Sequence, residues 1–528
     1  MFAMNLGAVL NVRTRPSLKR SKVPEPTPVS FPPPPTLPAS TEPNRKNFVT
    51  KLQNLSRPTD IDASIFADLG LETKYNVPIE EVIPDSSYLP DFEAWDKLSR
   101  DEAIDLDKTI RKKMPSGHFG PGAVAYLDRK MELSHPNASA YRVVRRLEPL
   151  PGQSQLRLGN AYDFWRNLET FTLYWDDTTE EPVALDSEEE DSSATQETGP
   201  GGEEPGKECL DIATDDKDYY RTMTGSELPN EFRHSLTTAF IKLIAYDFGS
   251  NTSVTHTQPR LHLHGPPRAD GKAPRRSHFP SMCTWVFRTP TQRAEARAGI
   301  VEGPVAAVSA RETVNFQTEL DVNLDLAREV IACLIAAQHR SRDGKPEKRF
   351  GDGKWWTKNK RWGGGPGGPI GREIDPNDIP GDKEAAPQKP QKEEPAPPPK
   401  LKFPAMPPMK RAKKTAVNIY EQYRKMLPPP SSWDPKTKYQ AFGRVAGADY
   451  DDVFLVSSLF HHISIVRMRV PQALVDILDG EVEGSDYDKL PMWRSKWYDM
   501  FVFEDRMEAL RLMWGVMAYQ LRDTFQDV

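Results

Sequence analysis

Three stretches of this chain carry too few apolar side chains to fold by themselves, and their positions decide what the rest can become. Residues 376–408 hold eleven prolines in thirty-three positions, with most of the others Lys, Glu or Ala. Residues 176–208 hold thirteen acids and one Lys among Ser, Gly, Pro and Thr. Residues 24–43 are again proline-rich and include Ser30-Phe31-Pro32-Pro33-Pro34-Pro35. Ordering such segments costs more chain entropy than their apolar contacts offset, so they are expected to stay solvated, the proline runs as extended polyproline II. The fold must be built from what lies between. The expected division is a disordered basic and proline-rich arm over 1–46, a folded block over 48–178 and an acidic loop over 179–208. An α+β block over 209–342, a linker over 343–415 and a C-terminal block over 416–528 that packs with 209–342 complete it.

Within the blocks, periodicity assigns the elements. Arg260 to His264 alternates, Met282 to Arg288 is β-rich with Cys283, Trp285 and Phe287 on one face, and Ala298 to Ser309 carries Ile300, Val301, Val305 and Val308. These read as strands. Leu320, Leu324, Ala327, Ile331, Leu334 and Gln338 recur at spacings of three and four and predict a helix to Arg340. Phe503, Met507, Leu510, Trp514, Met517, Leu521 and Phe525 predict a second one at the C-terminus. Val453 to Val470 is a long apolar run, and Ile65, Phe66, Leu69 and the aromatic stretch Tyr162 to Trp175 supply core material to the first block. The fold class is therefore α+β, a mixed sheet with packed helices interrupted by long disordered insertions. Each of the two long helices carries more apolar surface than its own block covers, so the two are expected to share one core.

Composition removes several function classes. The 528 residues hold eleven Trp and twenty-two Phe, enough for a real core, and seventy Lys and Arg against seventy-six Asp and Glu give a net charge of −6. Contact with a polyanion must then come from a local patch. Cys209, Cys283 and Cys333 are scattered and odd in number, which fits a reducing compartment. No apolar stretch approaches the roughly 18 residues that span a bilayer, so no membrane partner is expected.

One local patch stands out. Residues 340–362 hold nine basic residues and three acids, a net of +6, with Phe350, Trp355, Trp356 and Trp362 interleaved. Cations neutralise phosphates while indole faces stack on unpaired bases, so Arg349, Lys354, Trp355, Trp356, Lys358, Lys360, Arg361 and Trp362 suit a single-stranded nucleic acid. The alternative is that the tryptophans pin a loop to the core while the cations stay solvated. Lys400 and Lys402, followed by Lys410, Arg411, Lys413 and Lys414, have the spacing of a bipartite nuclear-import signal, which implies an import receptor as partner. Arg13, Arg15, Lys19, Arg20 and Lys22 suit an import arm or a mitochondrial transit peptide, and Pro16 disfavours the helix the latter needs.

Catalytic motifs are sparse. The glycine run from Gly363 follows no strand, and no Walker A sequence or nucleophile elbow is present. No cofactor is expected: His262 and His264 point to one face if they lie on a strand, which reads first as an ordinary polar strand face, and the alternative is that with Cys283 they form a metal-ligand set for zinc. The H-x-E and P-C-x-x-C pattern of zinc deaminases is missing. His461 and His462 lie inside the apolar run, where neighbours on a strand face opposite sides and could not share one ion.

Gly351-Asp352-Gly353-Lys354-Trp355-Trp356-Thr357 with Arg361-Trp362-Gly363-Gly364-Gly365-Pro366-Gly367-Gly368 resembles a signature of uncharacterised proteins of filamentous fungi. So does Trp497-Tyr498-Asp499-Met500-Phe501 followed by Trp514-Gly515-Val516-Met517-Ala518-Tyr519. The resemblance implies that the middle and C-terminal blocks form one unit, and it brings no catalytic residue. The expected function is a nuclear regulatory or interaction protein that binds other proteins and contacts nucleic acid through the Lys/Arg/Trp segment, with the enzyme question left open. The alternatives are a zinc-dependent, deaminase-like hydrolase acting on nucleic acid, and a cytosolic scaffold that uses its proline-rich arms.

Overall fold

The apolar run from Val453 turns back on itself: β8 (Tyr450–Leu459) and β9 (His462–Pro471) form a ten-pair antiparallel hairpin at the centre of the main sheet. The structure, a computed structural model, describes residues 24–36, 45–179, 221–343 and 438–522. Residues 56, 115–118, 150, 151, 153, 254–258, 269, 270, 272, 273, 281, 282, 298, 299, 312–315, 446 and 482–485 are excepted. The nucleic-acid segment from Arg349 to Trp362, the import clusters from Lys400 to Lys414, Cys209, the acidic loop and the linker lie outside the described residues.

The other strands are β1 (Leu71–Lys74), β2 (Ser250–Ser253), β3 (Arg260–His264), β4 (Arg276–Pro280), β5 (Thr284–Arg288) and β6 (Ile300–Ala310), then β7 (Lys438–Gln440), β10 (Leu490–Arg494) and β11 (Tyr498–Asp499). Nine of them form one mixed sheet in the order β1-β10-β9-β8-β6-β5-β2, with β11 beside β9 and β7 beside β6, while β3 and β4 pair as a separate ribbon. Among the described residues the helices are α1 (Arg45–Asn54), α2 (Ala63–Asp68), α3 (Ile79–Val82), α4 (Phe92–Trp95), α5 (Arg100–Ile110), α6 (Ala123–Leu133) and α7 (Asn137–Arg145). They continue as α8 (Tyr162–Phe171), α9 (Asn230–Ala245), α10 (Arg293–Arg297), α11 (Glu319–Arg340), α12 (Gln472–Leu478) and α13 (Phe503–Gln520). This is the expected α+β class with a mixed sheet. No helix among the described residues is long and apolar enough to cross a membrane.

Each strand of the central hairpin feeds both faces, as a period of two requires. Phe454 and Val456 of β8 enter one core with α4 to α9 and α13, and Val453 and Leu455 enter the other with α1, α2, α11 and α12. The expectation that α11 and α13 share a core is therefore corrected: the sheet lies between them. Apolar stripes show that a helix face is covered, and both faces of this sheet are apolar. α11 starts at a capping box in which the Thr318 and Asp321 side chains accept each other's backbone N–H, and it crosses over the sheet to connect β6 with its parallel neighbour β8. In α13, Gly515 lets the chain approach closely, because a Cβ there would meet Leu89 Cδ2 at 2.6 Å and Ile83 Cγ1 at 3.0 Å.

The first block joins the same sheet, since β1 extends it in parallel with β10. One further expectation changes. The proline-rich arm is not a free tether over residues 24–36, which lie extended along the body: Trp175 Nε1 donates to Thr27 O at 3.1 Å and Arg221 Nη2 to Pro24 O at 2.7 Å.

Candidate metal centre

The hairpin closes at the pair Leu459 and His462, which leaves Phe460 and His461 as a two-residue turn. Phe460 has φ 54°, a left-handed conformation that costs a large aromatic residue energy. Packing holds it: the Trp175 ring centroid lies 4.2 Å away and the Arg233 guanidinium 5.4 Å from the Phe460 ring. The turn stands just beyond the carboxyl ends of the parallel strands β6 and β8, whose last pair is Ala310 with Ser458.

The sequence reading put His461 and His462 on one strand, facing apart. The turn instead brings their rings to 4.2 Å. β11 then sets Asp499 directly opposite His462 in the ladder, with Met500 N donating to His461 O at 3.0 Å. Nε2 of His461 is 3.8 Å from Oδ1 of Asp499, and Nε2 of His462 is 3.7 Å from Oδ2. Among the described residues this is the one group of three His, Cys, Asp or Glu side chains whose ligand atoms all lie within 4.8 Å of one another. Two ligands of a tetrahedral zinc at about 2.1 Å stand about 3.4 Å apart, so the three ligand atoms, which lie within 4.8 Å of one another, would draw together by up to about 1.4 Å around an ion.

The surroundings hold Asp499 in place without neutralising it. Its Oδ1 accepts from Phe501 N at 2.9 Å, and its own N–H goes to Asp505 Oδ2 at 2.8 Å. Arg506 Nη1 clamps the same segment, donating to Met500 O at 3.0 Å, Phe501 O at 3.1 Å and Asn137 Oδ1 at 2.9 Å. Asp505 pairs with Lys496 at 2.9 Å, and Asp177 accepts from Asn137 at 2.7 Å and from Tyr141 at 3.0 Å. Asp499 has no Lys or Arg within ion-pair distance among the described residues.

Burial pushes its carboxyl up to about 6, opposed by the Phe501 N–H and reinforced by the charges of Asp505 and Asp177. Burial likewise lowers His462 to about 4 and His461 well below the usual imidazole range. At neutral pH the group is therefore two neutral imidazoles and one carboxylate, the protonation state a divalent ion requires. Nδ1 of both histidines is buried and has no hydrogen-bond partner among the described residues. Phe171, Trp175 and Phe501 line the His461 side at centroid distances of 6.3, 5.4 and 4.7 Å, and Phe31 of the arm meets His462 edge-on at 5.1 Å.

The ligand set suggested by the sequence is not brought together. His262 and His264 do share a strand, β3, but His262 packs against α11, its N–H donating to Gln338 Oε1 at 2.8 Å and its ring 6.4 Å from His339. The charges near it are cations, Arg342 and Arg260. His264 Nδ1 lies 3.0 Å from Asp479 O. Cys283 is buried in the core beneath α11. A signal for the actual group was present in the sequence: Asp499 belongs to the Trp497 to Phe501 passage, and an apolar run of eighteen residues is too long for one ordinary strand.

Next to the centre, Trp497 covers a buried ionic cluster, with the guanidinium groups of Arg311 and Arg494 4.8 and 5.4 Å from its ring. Glu329 anchors that cluster, accepting from Arg311 at 3.0 Å, from Ser457 at 2.6 Å and from Arg494. Comparison of the chain with protein-family models finds no match, and comparison with curated proteins and with solved structures finds none either.

Proposed function

We propose that the protein is a metal-dependent enzyme of the hydrolytic class, in which His461, His462 and Asp499 hold one zinc-like divalent ion. The observation that carries this reading is the buried Asp499 carboxylate, which has two neutral imidazoles 3.7 and 3.8 Å away and, among the described residues, no Lys or Arg within ion-pair distance, the nearby Arg506 acting on it only at longer range. Three protein ligands leave a fourth position for water or substrate, the arrangement of catalytic and not of structural zinc. Such an ion supplies an activated water. The chain's own part is to hold the carboxylate through Phe501 and Arg506, keep both imidazoles unprotonated, and exclude bulk water with Phe171, Trp175 and Phe501. Titration calorimetry of the full chain with Zn²⁺ tests it. One ion per chain is expected, and no binding to the wild-type protein would end the reading.

A second reading is the nuclear, nucleic-acid-contacting protein of the sequence stretch Arg349 to Trp362, with the import clusters at Lys400 to Lys414. One observation favours it. The segment follows Asp343 in the sequence, and just before it Arg342, together with Arg260, Arg276 and the acid Asp479, surrounds His262 and His264, so its cations would add to a mainly cationic region. Salt-dependent binding of a single-stranded oligonucleotide that is lost in Arg342→Glu supports this reading, and salt-insensitive binding removes it.

A further inference from the structure

The arm meets the body in the manner of a bound peptide. Val29, Pro32 and Pro35 are half-buried while Ser30, Phe31, Pro33 and Pro34 are exposed, the threefold repeat of a polyproline II ridge pressed on one edge. The body contacts are backbone-directed: Trp175 Nε1 to Thr27 O at 3.1 Å, and Arg221 Nε and Nη2 to Pro24 O at 3.1 and 2.7 Å. Gly225 N adds a bond to Thr27 Oγ1 at 2.8 Å. Phe31 stacks on Trp497 at 5.2 Å with an interplanar angle of 14° yet remains 40% exposed. An indole N–H aimed at a peptide carbonyl, beside an aromatic platform, is how proline-rich ligands are held in peptide-recognition grooves.

We propose that the groove along Trp175, Arg221, Gly225 and Trp497 is a receptor for proline-rich peptides in the polyproline II conformation, with residues 24–36 as its resident ligand in cis. The partner it fits is a proline-rich segment that carries an aromatic residue four positions after its Thr. Because Phe31 also covers His462, exchange of the arm for such a segment would uncover the proposed metal centre; that consequence rests on the metal reading, but the groove itself does not. A tethered ligand acts at an effective concentration on the order of millimolar, so a free peptide of equal affinity competes with the intact arm only in that range.

The experiment keeps the full chain and weakens only the tethered ligand. Phe31→Ala opens the groove, and a fluorescent peptide of residues 24–36 is titrated into wild-type and variant chains in chelator, so that metal plays no part. The peptide should bind the variant at least about 10-fold more tightly than the wild type, and a peptide that itself carries Phe31→Ala should bind at least about 10-fold more weakly. Hydrogen exchange at the Gly225 amide should quicken in the variant and slow again with peptide. Absence of binding, equal binding to both chains, or unchanged Gly225 exchange would overturn the groove, whatever the calorimetry with zinc returns.

Discussion

Nε2 of His462 faces Oδ2 of Asp499 at 3.7 Å across the ladder between β9 and β11, too far for a hydrogen bond and close enough to share an ion. A carboxylate buried in this way is costly in the metal-free protein. Its folded-state value of about 6, against 3.8 in the unfolded chain, corresponds to about 3 kcal/mol of destabilisation at pH 7. Asp499→Asn keeps the shape and the acceptor for Phe501 N while removing the charge. It should raise the melting temperature of the metal-free protein and weaken zinc affinity by at least about 100-fold. A variant that melts lower in chelator would make Asp499 a structural residue and not a ligand.

Metal affinity should depend on the same carboxyl. His462 at about 4 and His461, held by burial well below the usual imidazole range, are neutral where Asp499 titrates, so the competing proton is that of Asp499. Affinity should be flat above pH 7 and fall about tenfold per pH unit below about 6, which calorimetry at three pH values reads directly. A midpoint near 4 would exclude Asp499 from the set.

Stability of the metal-free protein should move the other way from a protein dominated by buried acids. His462 has a folded value of about 4 against 6.5 unfolded, so below 6.5 the unfolded chain takes up the proton first. Its share, about 3 kcal/mol, is lost as pH falls from 6.5 to 4, and it is constant above 6.5. His461, His262 and His339 are depressed by burial in the same direction, while Asp499 opposes them between 6 and 3.8. Urea unfolding in chelator should therefore show a net loss from pH 7 to pH 5. A gain would mean that the histidines are not buried as neutral rings.

Legibility in the sequence followed periodicity and ended where geometry depends on a partner. α11, α13, β5 and β6 were all signalled by apolar spacing, because each presents one regular face to a core. The turn at Phe460 and His461 was not, since it lacks Gly, Asn or Pro and is held by Trp175 and Arg233 from distant elements. Asp499 was one of seventy-six acids until β11 placed it opposite His462. The arm carries no helix or strand period, and its attachment through the carbonyls of Pro24 and Thr27 leaves no mark on the side-chain pattern.

Glu329 is 1% exposed and joins Arg311 and Arg494, themselves buried. Glu329→Ala should strand the buried Arg494 guanidinium, leave Arg311 with Asp325 as its one carboxylate at 2.8 Å, and cost about 3–5 kcal/mol, whereas an isolated surface pair would cost at most about 1. Chemical denaturation gives the comparison, and a loss below 1 kcal/mol would show that water reaches the cluster.

The last prediction concerns the single sheet. β6 comes before the 344–437 stretch and β8 after it, yet they pair in parallel from Ala307 with Leu455 to Ala310 with Ser458. β1 and β10 join the same two parts at the sheet edge. The two cores share β8, whose alternate residues serve opposite faces, so neither half can keep its core without the other. Cleavage within residues 376–408 should leave two fragments that migrate together under native conditions. Trp514 is 2% exposed and packs against Trp95, Tyr126 and Phe248 at 6.2, 6.0 and 5.1 Å. Trp514→Ala should cost about 3–5 kcal/mol. Although α11 lies on the far face, its signals should melt in the same transition as those of α13. Fragments that separate while folded, or two resolved transitions, would show the halves to be independent domains.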